Sequence, residues 1–282
     1  MTGFHHALFA SLLLLWPALG WADSAGPNLP GIDLKGLEKD ELEALGQLLQ
    51  GGACPCNTKV SIAECVEQKS CEQATQLARF AVDKFKEGFG PEQVQQAVVK
   101  KYFDEIMKFT FDLKDTPKKG APNGRVVIVE FADFECPHCA LVSKILPEVI
   151  KAFPKDVTLY YKHFPLPSHT WAEQASRAAW AAGRQDKFWP MHDLIFANQS
   201  ALDAAKFTAF AQELGLNLEK FKADMASTEA SRSIERDKAE GVKAALTGTP
   251  SLYINGKFYY EDKTPEALKA YVEKLLTTKP KK

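Results

Sequence analysis

Long apolar runs are scarce in this 282-residue sequence. The one pronounced block is residues 7–19, ALFASLLLLWPAL, too short and too punctuated by Pro17 and Gly20 for a comfortable membrane span. Lysine and arginine are missing ahead of it, where His5, His6 and the α-amino group stand in. Small residues around Trp21 (Gly20 and Ala22) then fit a signal-peptidase site, so residues 1–22 are expected to be an export signal cleaved after Ala22. No cysteine follows closely enough for a lipid anchor. An excess of either charge is also lacking. The formal net charge of −1 removes the electrostatic case for nucleic acid or an anionic membrane as main partner. Nothing repeats at a fixed period, which excludes a solenoid.

What is present begins with six cysteines: Cys54, Cys56, Cys65, Cys71, Cys136 and Cys139. An even count in an exported chain points to disulfides, because that compartment does not keep thiols reduced. The first four fall within 18 residues and the last two stand far downstream, so the chain divides into two modules. Residues 23–37, rich in proline and glycine, read as a flexible lead. Residues 38–105 carry three apolar stripes at helical spacing (Leu42, Leu45, Leu48 and Leu49; Ala74, Leu77, Ala78, Ala81 and Phe85; Val94, Ala97, Val98 and Tyr102) and read as a small all-helical domain. That domain is too small to bury a generous core unaided.

From residue 106 onward the pattern alternates between strands and helices. FTFDL (109–113) reads as a strand, TPKKGAPNG as a loop, and RVVIVEF as a strand buried on both faces. The CPHC segment opens a helix in which Pro147 is expected to cause a kink. VTLYYKHF is the next strand, residues 168–246 are helical throughout, and SLYI with KFYYE flank the hairpin turn Asn255-Gly256 before a closing helix. The fold class is therefore α/β.

The spacing Cys136-Pro137-His138-Cys139 at a strand-to-helix junction has a direct chemical consequence. A cysteine at a helix N-terminus meets unpaired backbone N–H groups and the positive end of the helix dipole, which favour thiolate over thiol. Pro137 fits the first turn without losing a needed donor, and His138 can add an N–H donor or partial positive charge beside the sulfur. A stabilised thiolate leaves readily, so a Cys136–Cys139 disulfide is open to attack at Cys136. A zinc site would need a second ligand pair, and no C-x-x-C or H-x3-H partner follows; His163, His169 and His192 read as isolated surface or packing residues, and no metal is expected.

VIVEFADFECPHC, KHFPL, FWPMHDLIF and TGTPSLYINGK together resemble the DsbA-type oxidoreductases of the bacterial periplasm, over roughly residues 108–276. The resemblance implies a thioredoxin-like fold in residues 106–282 with a helical insertion at about 168–246, and no cofactor. It makes Cys136 the substrate-bonded nucleophile and Cys139 the resolving thiol. Glu130 would be a buried acid relaying protons to Cys139, and Pro250 a cis-proline facing the site, with the Thr249 backbone pairing an extended substrate. It further implies exported cysteine-containing substrates, a periplasmic location and a quinone-linked membrane partner for re-oxidation. Thr249 resembles the isomerase and reductase relatives, so oxidant stands first and isomerase or reductase second.

The spacing C-x-C-x8-C-x5-C suits two structural disulfides. A direct Cys54–Cys56 bond would be strained, which favours bonds from that pair to Cys65 and Cys71, but spacing alone does not choose among the pairings. A second redox pair, or a metal- or haem-handling role, is the alternative for this module. Residues 54–106 bear a faint likeness to the helical domain of the cytochrome c maturation thiol proteins.

Overall fold

The computed structural model describes residues 26–244, 246 and 248–278, apart from the side chain of Asp104. The expected export signal and its cleavage site lie outside the described residues. Two compact units divide the chain, the first reaching Met107 and the second covering Lys108–Lys282.

In the first unit, α1 (Lys39–Gly51), β1 (Ala53–Cys54), β2 (Asn57–Ser61), α2 (Ile62–Glu67), α3 (Glu72–Lys86) and α4 (Pro91–Lys101) are followed by a π-helical turn at Tyr102–Ile106. A short antiparallel β1-β2 ribbon thus joins the expected helices. Leu45, Leu49, Leu77, Ala78, Ala81 and Val94 form an apolar core around the buried Cys54, Cys65 and Cys71. The lead corrects the sequence expectation. From residue 26 it is ordered, because Leu29 is buried and Ile32, Leu34 and Leu37 pack onto the same core, while Lys86 Nζ donates to the Asp33 carbonyl at 2.8 Å.

The second unit runs β3 (Lys118–Gly120), β4 (Val126–Ala132), α5 (Pro137–Ala152), β5 (Val157–His163), α6 (Ala172–Gly183), α7 (Phe188–Ala197), a 3-10 turn (Gln199–Ala201), α8 (Ala204–Glu213), α9 (Leu218–Met225), α10 (Thr228–Lys243), β6 (Ser251–Ile254), β7 (Lys257–Tyr259) and α11 (Pro265–Thr277). The sheet order is β3-β5-β4-β6-β7, with β4 and β5 parallel and the other pairs antiparallel. The nearly unbroken apolar run of β4 follows from its central place, flanked by β5 and β6. Asn255 and Gly256 both take positive φ, as a two-residue hairpin turn requires. The α5 helix continues through Pro147 to Ala152.

Two local readings change. Residues 109–113 form no strand; their alternation comes from Phe109 and Phe111 covering one sheet face against Phe131 and Tyr253. The edge strand lies instead within the expected loop, where Lys118 and Lys119 gave no apolar signal because an edge needs none.

Candidate active site

The register of the sheet brings the site together. Phe131 pairs with Ser251 and Glu130 with Leu252, so the segment ahead of β6 arrives beside the end of β4, where the CPHC segment starts. That segment contains the cis peptide Thr249-Pro250.

Cys136 is the N-cap residue of α5 and Pro137 its first residue. Both cysteines are unbonded thiols in this structure. The two are nevertheless unlike. The Cys136 thiol is drawn down to about 5, chiefly by a hydrogen bond from the Cys139 thiol. Desolvation opposes this, while Thr249 and the backbone N–H groups of Cys139 and His138 reinforce it. Cys139 is fully buried, and desolvation first, then its bond to Cys136 and the nearby Glu130, push it well above the ordinary thiol range. The backbone N–H of Asp133 reaches Cys139 Sγ at 3.5 Å. A thiolate is thus held at the helix end, and a protonated thiol is held one turn in.

Cys136 Sγ lies 3.3 Å from the Thr249 carbonyl oxygen. Pro137 and His138 are exposed at the mouth of the site. The contribution of His138 to Cys136 comes through its backbone N–H. Glu130 is 1% exposed on the central strand, with Oε1 unpartnered, and burial raises its carboxyl to about 8. At neutral pH it therefore holds a proton beside Cys139.

Several supporting residues were not singled out from the sequence. Asp133, fully buried, accepts from the backbone N–H of Glu135 and of Leu166, each at 2.7 Å, and from His169 Nδ1 at 2.8 Å. It locks the turn that presents Cys136. Aspartate two residues before an N–H it bonds is an Asx-turn signal, legible in DFE. Gln199 Nε2 donates to the carbonyls of Phe134 (2.8 Å) and Cys136 (2.9 Å), a long-range contact no local pattern announces. His163 and His192 are packing residues: both rings lie against Phe134, Tyr161 and Phe188. Ala-rich α6 shares one apolar cluster with Cys136, Cys139 and Phe134, so the insertion forms a wall of the site.

The other four cysteines belong to the first unit, as the disulfides Cys54–Cys65 and Cys56–Cys71. The sulfurs of Cys54, Cys56 and Cys71 lie within 4.8 Å of one another, and Cys56 is exposed. A sulfur in a disulfide is not the thiolate that metal binding needs.

Residues 112–274 match the thioredoxin family. A thioredoxin-like oxidoreductase from Silicibacter pomeroyi DSS-3 superposes with a TM-score of 0.52 at 26% identity, covering 58% of this chain and 94% of that one. The thiol-disulfide exchange protein alpha-DsbA2 from Wolbachia pipientis gives a TM-score of 0.53 at 19% identity, covering 65% and 97%. Among curated proteins, the Na(+)/H(+) antiporter NhaA 1 of Salinispora arenicola is 34% identical over 155 residues, 55% of this chain but only 24% of that protein. The chain thus spans about a quarter of that relative, and among the described residues no helix is long and apolar enough to cross a membrane. With the match covering more than half of its length, the chain belongs to the thioredoxin family.

Proposed function

We propose that this protein is an exported, periplasmic thiol-disulfide oxidoreductase that donates the Cys136–Cys139 disulfide to cysteine-containing proteins. The observation that carries the reading is the asymmetry of the two thiols, a stabilised thiolate at Cys136 and a buried protonated thiol at Cys139. In the oxidised protein a substrate thiolate attacks Cys136 Sγ, a mixed disulfide forms, and Cys139 leaves as a thiolate that takes a proton from Glu130. A second substrate thiolate then attacks the substrate sulfur and releases Cys136 as a thiolate. The products are a substrate disulfide and the dithiol protein. Because the leaving thiolate is stable, the balance favours reduced enzyme and oxidised substrate. A quinone-linked membrane partner is proposed to restore the disulfide.

Thr249 supports a second reading, as isomerase or reductase. Its hydroxyl helps to hold the same thiolate that sets the direction of exchange. Equilibration of the full chain with glutathione separates the two: a potential as reducing as thioredoxin's, near −270 mV, would sink the oxidant reading. The assignment as a whole is tested by Cys136→Ser, which is expected to abolish thiol oxidation and mixed-disulfide capture. Retained oxidation in that variant would count against it.

A further inference from the structure

Glu130 also lines a small, partly open void of about 10 Å3, room for the centre of one water molecule. Ser143, Pro147, His192, Asp193 and Lys119 are among its other walls. Its polar lining is unsatisfied in a specific way. Glu130 Oε1 and His192 Nε2 are both buried without a hydrogen-bond partner. Pro147 has no N–H, so no i→i−4 bond reaches the Ser143 carbonyl. Buried groups of this kind are costly to leave unpaired, and a shared water is the usual remedy.

His192 continues the line outward. It is 3% exposed, its Nδ1 lies 2.8 Å from Asp193 Oδ1, and the Asp193 side chain is 60% exposed. A neutral imidazole that donates Nδ1–H to a carboxylate presents Nε2 as an acceptor. Burial disfavours the imidazolium, Asp193 partly offsets this, and Lys119 on β3 adds a smaller push in the same sense as burial. His163 packs on the same aromatic residues with both ring nitrogens unpartnered. One sequence of groups therefore runs from Cys139 through Glu130, the void, His192 and Asp193 to solvent.

We propose that this sequence is the proton port of the dithiol, with His192 and Asp193 as positioning residues that carry the proton Glu130 exchanges with Cys139. The inference rests on the disulfide-exchange reading above. When Cys139 attacks a mixed disulfide on Cys136, Glu130 first passes its proton to the void water. That water passes one to His192 Nε2, the Nδ1 proton moves to Asp193, and Asp193 releases it. The Glu130 carboxylate then takes the Cys139 proton as the new S–S bond forms and the substrate thiolate departs. When the disulfide is next reduced, the Cys139 thiolate takes the proton of Glu130 and every transfer runs inward. One proton leaves and one enters per cycle, and the His192 tautomer is restored.

The test follows resolution of a glutathione mixed disulfide on Cys136 in the full chain, by single-turnover kinetics in H2O and D2O. His192→Phe keeps a ring among Phe134, Tyr161 and Phe196. It is expected to slow resolution on the order of tenfold, below the hundredfold or more of a directly positioned acid or base, and to raise the solvent isotope effect. Asp193→Asn, at the exposed end, should slow it in the same sense, and it decides the matter if His192→Phe fails to fold. Parent rates and an unchanged isotope effect in the folded variants would overturn the port. Glu130→Gln in the same assay separates the two levels. If it slows resolution while Asp193→Asn and a folded His192→Phe do not, the port alone fails; if it does not slow resolution, the role of Glu130 beneath it fails, and the port with it.

Discussion

At the scale of single residues, charge is controlled at two buried groups of opposite tendency. Cys136 is held down to about 5, so its thiolate persists across the neutral range. Its alkylation by iodoacetamide is expected to be flat from about pH 8 to 6 and to fall below a midpoint near 5; a midpoint near the ordinary thiol value of about 8.5 would remove the basis of the oxidant reading. Glu130 runs the other way. Its folded value of about 8 stands above the unfolded value, so its contribution to stability is present at acid pH and lost as pH rises toward 8. Glu130→Gln removes that loss. The variant should be more stable than the parent by roughly 2–3 kcal/mol at pH 7, with the margin shrinking toward pH 4.5, while thiol exchange slows. Urea unfolding of the reduced forms across this range checks it, and a pH-independent difference would contradict it. Of these residues, Cys136, Cys139 and Glu130 were legible in the sequence, because their chemistry or their misfit with an apolar strand marks them. Asp133 and Gln199 are not singled out by the sequence, and His192 reads there only as a surface or packing residue, since their importance lies in partners 33 or more residues away or in a void between elements.

At the scale of elements, α10 shows how the insertion is fixed to the sheet. Lys162, fully buried on β5, meets Asp237 at 2.9 Å and Glu240 at 2.7 Å, both from α10. The Asp237 carboxylate also accepts the His163 N–H at 3.1 Å. A lysine in VTLYYKHF looks like a solvent-facing strand residue, and only the covering helix turns it into a buried ion pair. Strand and helix order was readable because it rests on local periodicity and on the Asn255-Gly256 turn. The 109–113 segment misled for the same reason, its alternation serving a sheet face without a ladder. Gly241 marks the closest approach of α10. A Cβ there would stand 2.6 Å from the Phe164 ring and 2.6 Å from Leu246 Cδ1. In an open helix Gly→Ala gains about 1 kcal/mol. Here overpacking of about 1–3 kcal/mol outweighs that gain, so Gly241→Ala is expected to lower the urea midpoint with the slope unchanged. A raised midpoint would show that Phe164 moves aside freely.

At the scale of the whole molecule, the two units are stabilised by different means. The second has a five-stranded sheet, covering helices and several apolar clusters. The first has a small helical core threaded by two disulfides, with sequence separations of 11 and 15 residues. Closing a loop of about 15 residues removes roughly 3 kcal/mol of denatured-state entropy. For a domain of 60–100 residues that corresponds to roughly 12–24 °C in melting temperature. Cys56→Ser/Cys71→Ser is therefore expected to lower one calorimetric transition by about that much. The second transition, and the rate of thiol oxidation, should stay in place, because the dithiol, its buried acid and the helical wall all belong to the second unit. Two transitions moving together, or oxidation falling with the first, would mean that the cysteine-stapled unit contributes to exchange itself and is more than a separately stapled module.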